Sequence, residues 1–258
     1  MGFFLSKWYF DAVGEPGEVF IGYRAALRWR RLGVSYASIL TADAGGVRSA
    51  RTVRPGPEPD FFEGALAWTE PELDVSATWR GAAHAISRTL YESPEGAVVW
   101  NCVLPSAETE LTCGKNVLRG RGYAEHLSMT IPPWRLPIDT LRWGRFLSTE
   151  HALVWIDWES REGRRTWVFV DGTEVRGEVS EEGILFEGGK LRLPLPGRLT
   201  LRDGRLSHLL GNLPLPLPLF LRALAIHETK WRTSAVLELD AGAPESGWAI
   251  HEIVRMTP

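Results

Sequence analysis

A carboxylate stands beside a histidine in "GYAEH", where Tyr123, Glu125 and His126 fall close together. A little downstream, "LRWGRFLSTEHALVWIDW" gathers Trp143, Arg145, His151, Trp155 and Asp157. A charge among indole rings is either paired for structure or held in an unusual protonation state for chemistry. Protonating an isolated carbon–carbon double bond requires a carboxylic acid that keeps its proton near neutral pH, and burial favours that form because the anion loses its hydration. The cation that follows is stabilised by ring faces such as those of Trp143 or Trp155, each contributing up to about 2 kcal/mol when water is excluded. Trapping by water gives an alcohol; trapping by an internal hydroxyl or alkene gives a ring. Glu125 is the candidate acid. The alternative is a buried ion pair of Glu125 with Arg145, Arg121 or Arg119, which would keep it ionised and unable to donate.

The neighbouring groups divide by strand parity. Tyr123 and Glu125 share one side of an extended segment and His126 takes the other, unless a bulge or turn reunites them. In "HALVWIDWE", His151, Leu153, Trp155 and Asp157 share a face that suits a ligand cavity. Asp157 is then either a second catalytic carboxylate or the acceptor for Arg142 or Arg145. Trp143 and Arg145 either contact substrate or close a barrel as a Trp packed under an Arg. His84 and Trp100, with Trp79 and Tyr91, are expected to line the first half's interior.

No Ser-His-Asp nucleophile elbow, glycine-rich phosphate loop or dinucleotide fingerprint occurs. No CxxC, HExxH or Cys/His cluster offers zinc ligands, so a metal site is not indicated. Only Cys102 and Cys113 are present. If "VVWNCVLP" and "ETELTCG" form a hairpin, the two thiols face each other, either reduced and packed or joined as a cross-strand disulfide.

The elements that must position these groups read as strands. Short β-type runs recur between Gly, Pro, Asp and Asn, from "GEVFIGYRAALRW" and "VSYASILTA" to "TKWRTSAVLELDA" and "WAIHEIVRM". "SPEG", "VDGT", "LRDG" and "EEG" supply hairpin turns. No long segment keeps the 3.6-residue apolar period of an amphipathic helix. The strands outnumber what one small barrel needs, so an all-β chain of two antiparallel units is expected. The seam is placed in the proline-rich "TIPPWRLPIDT", giving units at 1–131 and 138–258 joined by a bridge at 132–137, because consecutive prolines cannot donate to a ladder. "GNLPLPLPLFLRALAIHETKW" is too short to span a bilayer and reads as a buried strand, a short closing helix or a greasy lid.

The 258 residues carry a formal charge of -3, so no global positive field attracts phosphate backbones and nucleic acid is not an expected partner. "MGFFLSKWYF" lacks a basic region followed by a long apolar core, which points to the cytoplasm, with membrane contact only for loading a substrate. The oligomeric state is left open.

"KWYFDA", "VVWNCVLPSAETEL", "GYAEH" followed by "LRWGRF" and "LVWIDW", and the ending "GWAIHEIVR" together resemble the carotenoid 1,2-hydratase (hydroxyneurosporene synthase) family and the related AttH-like proteins and lipocalin-like cyclases and pericyclases. The resemblance implies two tandem lipocalin-like, calycin-type β-barrels, an apolar isoprenoid or polyketide-like ligand, and no cofactor. It also implies that Glu125 stands where the hydratases carry the acid of a Gly-Tyr-x-Asp-His motif, with Tyr123 and His126 beside it. This chain has Glu in place of Asp and Ala124 in place of an aromatic residue. The expectation is therefore a hydratase or cyclase acting by protonation of an alkene, with a carrier of apolar ligands or a pericyclase as alternatives.

Overall fold

A computed structural model describes residues 2–81, 84–205 and 226–256. The chain divides into two compact units, Met1–Leu136 and Pro137–Pro258. The first contains strands β1 (Phe3–Gly14), β2 (Val19–Trp29), β3 (Leu32–Asp43), β4 (Gly46–Thr52) and β5 (Asp60–Phe62). It continues with β6 (Ala65–Glu70), β7 (Val75–Arg80), β8 (Ile86–Ser93), β9 (Gly96–Cys113) and β10 (Asn116–Met129). The second holds β11 (Thr140–Leu147), β12 (Ala152–Ser160), β13 (Gly163–Val170), β14 (Thr173–Val175) and β15 (Gly177–Val179). After these come β16 (Gly183–Phe186), β17 (Gly189–Arg192), β18 (Arg198–Arg205), β19 (Ile226–Leu239) and β20 (Glu245–Met256). Helical structure among the described residues is confined to short 3-10 turns at Pro71–Leu73, Pro133–Arg135 and Leu195–Gly197.

Each unit is a ten-stranded antiparallel sheet, and the second repeats the first. The first runs β4-β3-β2-β1-β10-β9-β7-β6-β5, with β8 also on β9; the second runs β14-β13-β12-β11-β20-β19-β17-β16-β15, with β18 on β19. Both sheets curl into the tandem lipocalin-like barrel arrangement. In the first, Ile39 of β3 and Trp68 of β6 enter one core with Phe10, Trp79 and Leu111 although their strands lie far apart in the sheet order. In the second, Phe146, Trp155, Val168, Ile184 and Leu237 do the same.

The inner faces are packed closely enough to require glycine under aromatic rings. A Cβ at Gly22 would lie 2.3 Å from the Phe10 ring, and one at Gly144 would lie 2.2 Å from the Trp155 ring and 2.7 Å from the His251 Cβ. The β13–β14 hairpin turns at Asp171 and Gly172, with φ of 50° and 81°, the left-handed pair that a two-residue hairpin needs.

Two sequence expectations are corrected. Cys102 and Cys113 do not face each other across a hairpin: both lie on the single strand β9, and both are free thiols. Pro105 does not end that strand, because β9 bulges there against β10, with register shifts around Ala124, and a bulge spares proline a ladder hydrogen bond. Likewise "LRDG" makes no turn: Arg202, Asp203 and Gly204 continue β18 alongside β19 past a register shift. Most of the Leu-Pro segment, residues 211–225, lies outside the described residues.

The packing yields a contrast that thermal melting can check. Gly144→Val should overpack the second core and cost about 2 kcal/mol, a drop of roughly 5 °C in the melting midpoint. Gly33→Val, where a Cβ would meet nothing within 4 Å, should leave the midpoint within about a degree.

Candidate functional site

Strand β10 is buried on both sides around "GYAEH". Ala124 points inward onto Phe10, its partner on β1, so its small side chain admits the ring. Alternation then sends Tyr123 and Glu125 to the other face, joined by Tyr9 and Asp11 of β1 and by Trp100 and Cys102 of β9. Tyr123, Asp11 and Cys102 are fully buried, and Glu125 is 9% exposed.

Two hydrogen bonds of this face converge on one carboxyl oxygen. The Trp100 indole N–H donates to Glu125 Oε2 at 2.5 Å, and the Tyr123 hydroxyl donates to the same atom at 2.6 Å. Tyr9 donates to Asp11 Oδ2 at 2.8 Å, and its ring meets those of Tyr23 and Tyr123 edge-on at 5.3 and 6.1 Å. Burial pushes the Tyr123 phenol well above its usual value, with Cys102 and Glu125 beside it adding to the shift, so the hydroxyl keeps its proton. Burial likewise holds the Cys102 thiol protonated; the Tyr123 hydroxyl opposes this, while Glu125 and Asp11 add to it.

His126 takes the inner face. It packs against Trp8 with ring centroids 4.7 Å apart and planes tilted by 46°, and its Nε2 lies 2.8 Å from the Ser6 hydroxyl. Burial lowers its pKa, and Glu58 pulls the other way. His84 is exposed in the β7–β8 connection. Trp100, expected to line the first interior, instead faces Glu125.

The remaining residues singled out from sequence belong to the second unit. Asp157 has 0% exposure and accepts from Arg142 Nη1, Arg164 Nε and Nη2, and the Thr166 hydroxyl, all within 3.0 Å. Arg142, Asp157 and Thr166 are direct neighbours across β11, β12 and β13, so the sheet itself builds this ion pair. Lys230 stands over the Trp143 ring at 5.4 Å. Arg145 is fully buried and donates to the Trp248 carbonyl at 2.7 Å. Trp155 packs in the second core. His151 Nδ1 lies 2.7 Å from Asp171 Oδ2, and that hydrogen bond raises its pKa. Among the described residues, no group of three or more His, Cys, Asp or Glu side chains is placed to hold a metal ion, and no helix is long and apolar enough to cross a membrane.

The repeated topology brings out a relation that the linear sequence carries but that was not read from it. Ala124 pairs with Phe10, and Ala249 of β20 pairs with Phe146 of β11, both rings fully buried. In that register "GYAEH" and "GWAIH", residues 122–126 and 247–251, occupy equivalent places. Gly, an aromatic residue, Ala and His recur, whereas Glu125 is replaced by Ile250. His251 repeats the role of His126: it faces inward, lies 2.9 Å from the Thr233 hydroxyl, and stacks on Trp231 at 5.2 Å. Tyr9, Asp11 and Cys102 were missed as companions of Glu125; the alternation in "KWYFDA" was the available signal for the first two.

No family model and no curated protein sequence matches this chain. Solved structures do. CghA in complex with Sch210972 is 13% identical with a TM-score of 0.59, the match covering 98% of this chain and 89% of that one. Kievitone hydratase from Nectria haematococca is 13% identical with a TM-score of 0.55, covering 99% and 89%. An AttH-like protein from Nitrosomonas europaea is 9% identical with a TM-score of 0.55, covering 100% and 94%. At these identities the likeness establishes a shared fold.

The buried histidine of the repeat makes stability depend on pH. Burial, helped by Arg198 and Lys230, lowers the His251 pKa to about 3 from its ordinary 6.5. Below pH 6.5 the unfolded chain binds a proton that the folded chain refuses, so stability falls by about 1.4 kcal/mol per pH unit until the folded pKa is reached. Between pH 7 and pH 5, urea unfolding should show wild type losing about 2 kcal/mol more than His251→Gln. Equal losses would contradict this assignment.

Proposed function

We propose that the protein is a cofactor-independent hydratase or cyclase of an apolar isoprenoid or polyketide-like substrate, with Glu125 as the acid that protonates an alkene. The observation that carries this reading is the convergence of the Trp100 N–H and the Tyr123 O–H on Glu125 Oε2. An oxygen that already accepts two hydrogen bonds is not the one that carries the proton, so the transferable proton belongs on Oε1. As it leaves, the growing negative charge on the carboxyl meets two donors already aimed at it, which is stabilisation present where charge develops and requiring no reorganisation. Oε1 loses the proton, the alkene π pair forms the new C–H bond, and the adjacent carbon becomes a cation. Water or an internal hydroxyl adds there and returns its proton to Glu125, or an internal alkene closes a ring and the new cation so formed loses a proton to Glu125.

The second copy of the motif supports a functional role. Ile250 fills the equivalent place in the same sheet position, so the architecture does not require a carboxylate there. The rings that flank Glu125 on its own sheet are Tyr9, Tyr23, Tyr123 and Trp100, and these, not Trp143 or Trp155, are the ones we assign to the substrate cation within this unit. The named hydratase among the structures of like fold is consistent with the reading. His126 and Asp157 enter it only as supports of fold and of the inner face.

Native mass spectrometry of freshly purified protein should identify the molecule that travels with it and supply the substrate class for assay. Glu125→Gln keeps size and hydrogen bonding but removes the transferable proton, so turnover should fall at least about a hundredfold while binding, followed by Trp fluorescence quenching, stays near wild type. Trp100→Phe removes one donor to the developing anion and should cost at least about tenfold in kcat with KM little changed. Unaltered turnover in Glu125→Gln would leave a carrier or a pericyclase as the reading.

A further inference from the structure

The first unit contains a cavity of about 440 Å³ that shares no residue with the Glu125 array. Its deeper walls are Phe20, Ile39, Leu111 and Leu118, all members of the inner core cluster. Thr41, Arg48 and Ala50 continue it on the same inward face of β3 and β4, since Arg48 pairs with Thr41 and Ala50 with Ile39. It is therefore the lumen of the first barrel, open where the β3–β4 and β9–β10 turns lie. Glu125 stands seven residues beyond Leu118 on β10, roughly 23 Å along the strand and on the opposite face. The volume falls in the range of small-molecule pockets, about 300–1,000 Å³, with apolar inner walls and a polar mouth.

The rim decides the ligand's chemistry. It carries two cations, Arg48 and Lys115, and two anions, Glu18 and Asp43, so its charges cancel. Arg48 and Asp43 are already an ion pair. A carboxylate head would meet Glu18 and Asp43, and an ammonium head would meet Arg48 and Lys115. Uncharged hydrogen-bonding groups are also at the opening, in Thr41, Ser49 and Asn116. A neutral molecule with an aliphatic or polycyclic body and a hydroxyl or carbonyl end satisfies both the walls and the rim.

We infer that the lumen of the first barrel is a binding site for a neutral, mainly hydrocarbon alcohol or ketone, separate from the Glu125 site. The inference does not rest on the enzymatic reading. Burial of apolar surface against Phe20, Ile39, Leu111 and Leu118 supplies the affinity, and the neutral rim supplies the selection against fatty acids and fatty amines. Half-buried Cys113 on the wall gives an internal reporter.

The full-length protein titrated with N-phenyl-1-naphthylamine, a neutral apolar fluorophore, should show saturable enhancement with one site per chain. Ala50→Trp, at an exposed wall position, and Thr41→Trp, a second way to fill the lumen, should each weaken the probe at least tenfold. Bound probe should slow modification of Cys113 by a thiol reagent at least fivefold, read against Cys113→Ser. In competition, 1-decanol should displace the probe at a concentration at least tenfold lower than decanoate or decylammonium. Wild-type probe affinity in both tryptophan variants, both verified as folded by circular dichroism, would overturn the site. Equal or better displacement by either charged competitor would overturn the assigned ligand class.

Discussion

The arrangement depends on one packing constraint: strand β10 is buried on both faces around Ala124, and Ala124 must be small to lie against Phe10 in the first core. Because side chains alternate, fixing Ala124 inward fixes Tyr123 and Glu125 outward, and a slip of one residue would bury Glu125 in the hydrocarbon core instead. The Phe10 ring occupies the space above Gly22, so the register of β1 against both neighbours is set by the same contact. A rigid, doubly covered strand can hold two donors on a single carboxyl oxygen because neither face of the strand is free to shift.

Repetition of the topology separates what the fold needs from what the site adds. Both units keep Gly, an aromatic residue, Ala and His in the strand that closes on the first strand of its sheet, and both turn the histidine inward beside a hydroxyl and an indole. These shared features belong to the barrel. The second unit spends its buried charge differently. Asp157 is held by Arg142, Arg164 and Thr166, and Lys230 pairs with Glu252 and stands over Trp143. Removing one partner from such a buried array leaves an uncompensated charge, which explains why its members come as a set.

The strands and the all-β class were legible because period-two patterning and turn residues are local signals. Register was not. Trp100 reaches Glu125 only because β9 bulges between Cys102 and Ala107, and extra residues in one strand change which side chains share a face without altering the apparent pattern. The same bulge lets Pro105 pass inside a strand, which undid the expected cysteine hairpin. Nearness in sequence offers Trp143 and Trp155 as rings for Glu125; within its own sheet Tyr9, Tyr23 and Trp100 come from strands that are neighbours only after folding. Asp157 was legible as a carboxylate on an apolar face, but its arginine partners come from both adjacent strands, and only the cross-strand register reveals that all its lone pairs are engaged.

The central claim is that a proton passes from Glu125 to a substrate carbon. It is tested most directly by running the reaction of the wild-type protein in D₂O and locating the label in the product by NMR. The account predicts one non-exchangeable deuterium, on the carbon next to the new C–O or C–C bond, and its delivery to a single face. A product formed at the wild-type rate with no carbon-bound deuterium would contradict proton transfer and leave a pocket that binds or folds its ligand without acid chemistry.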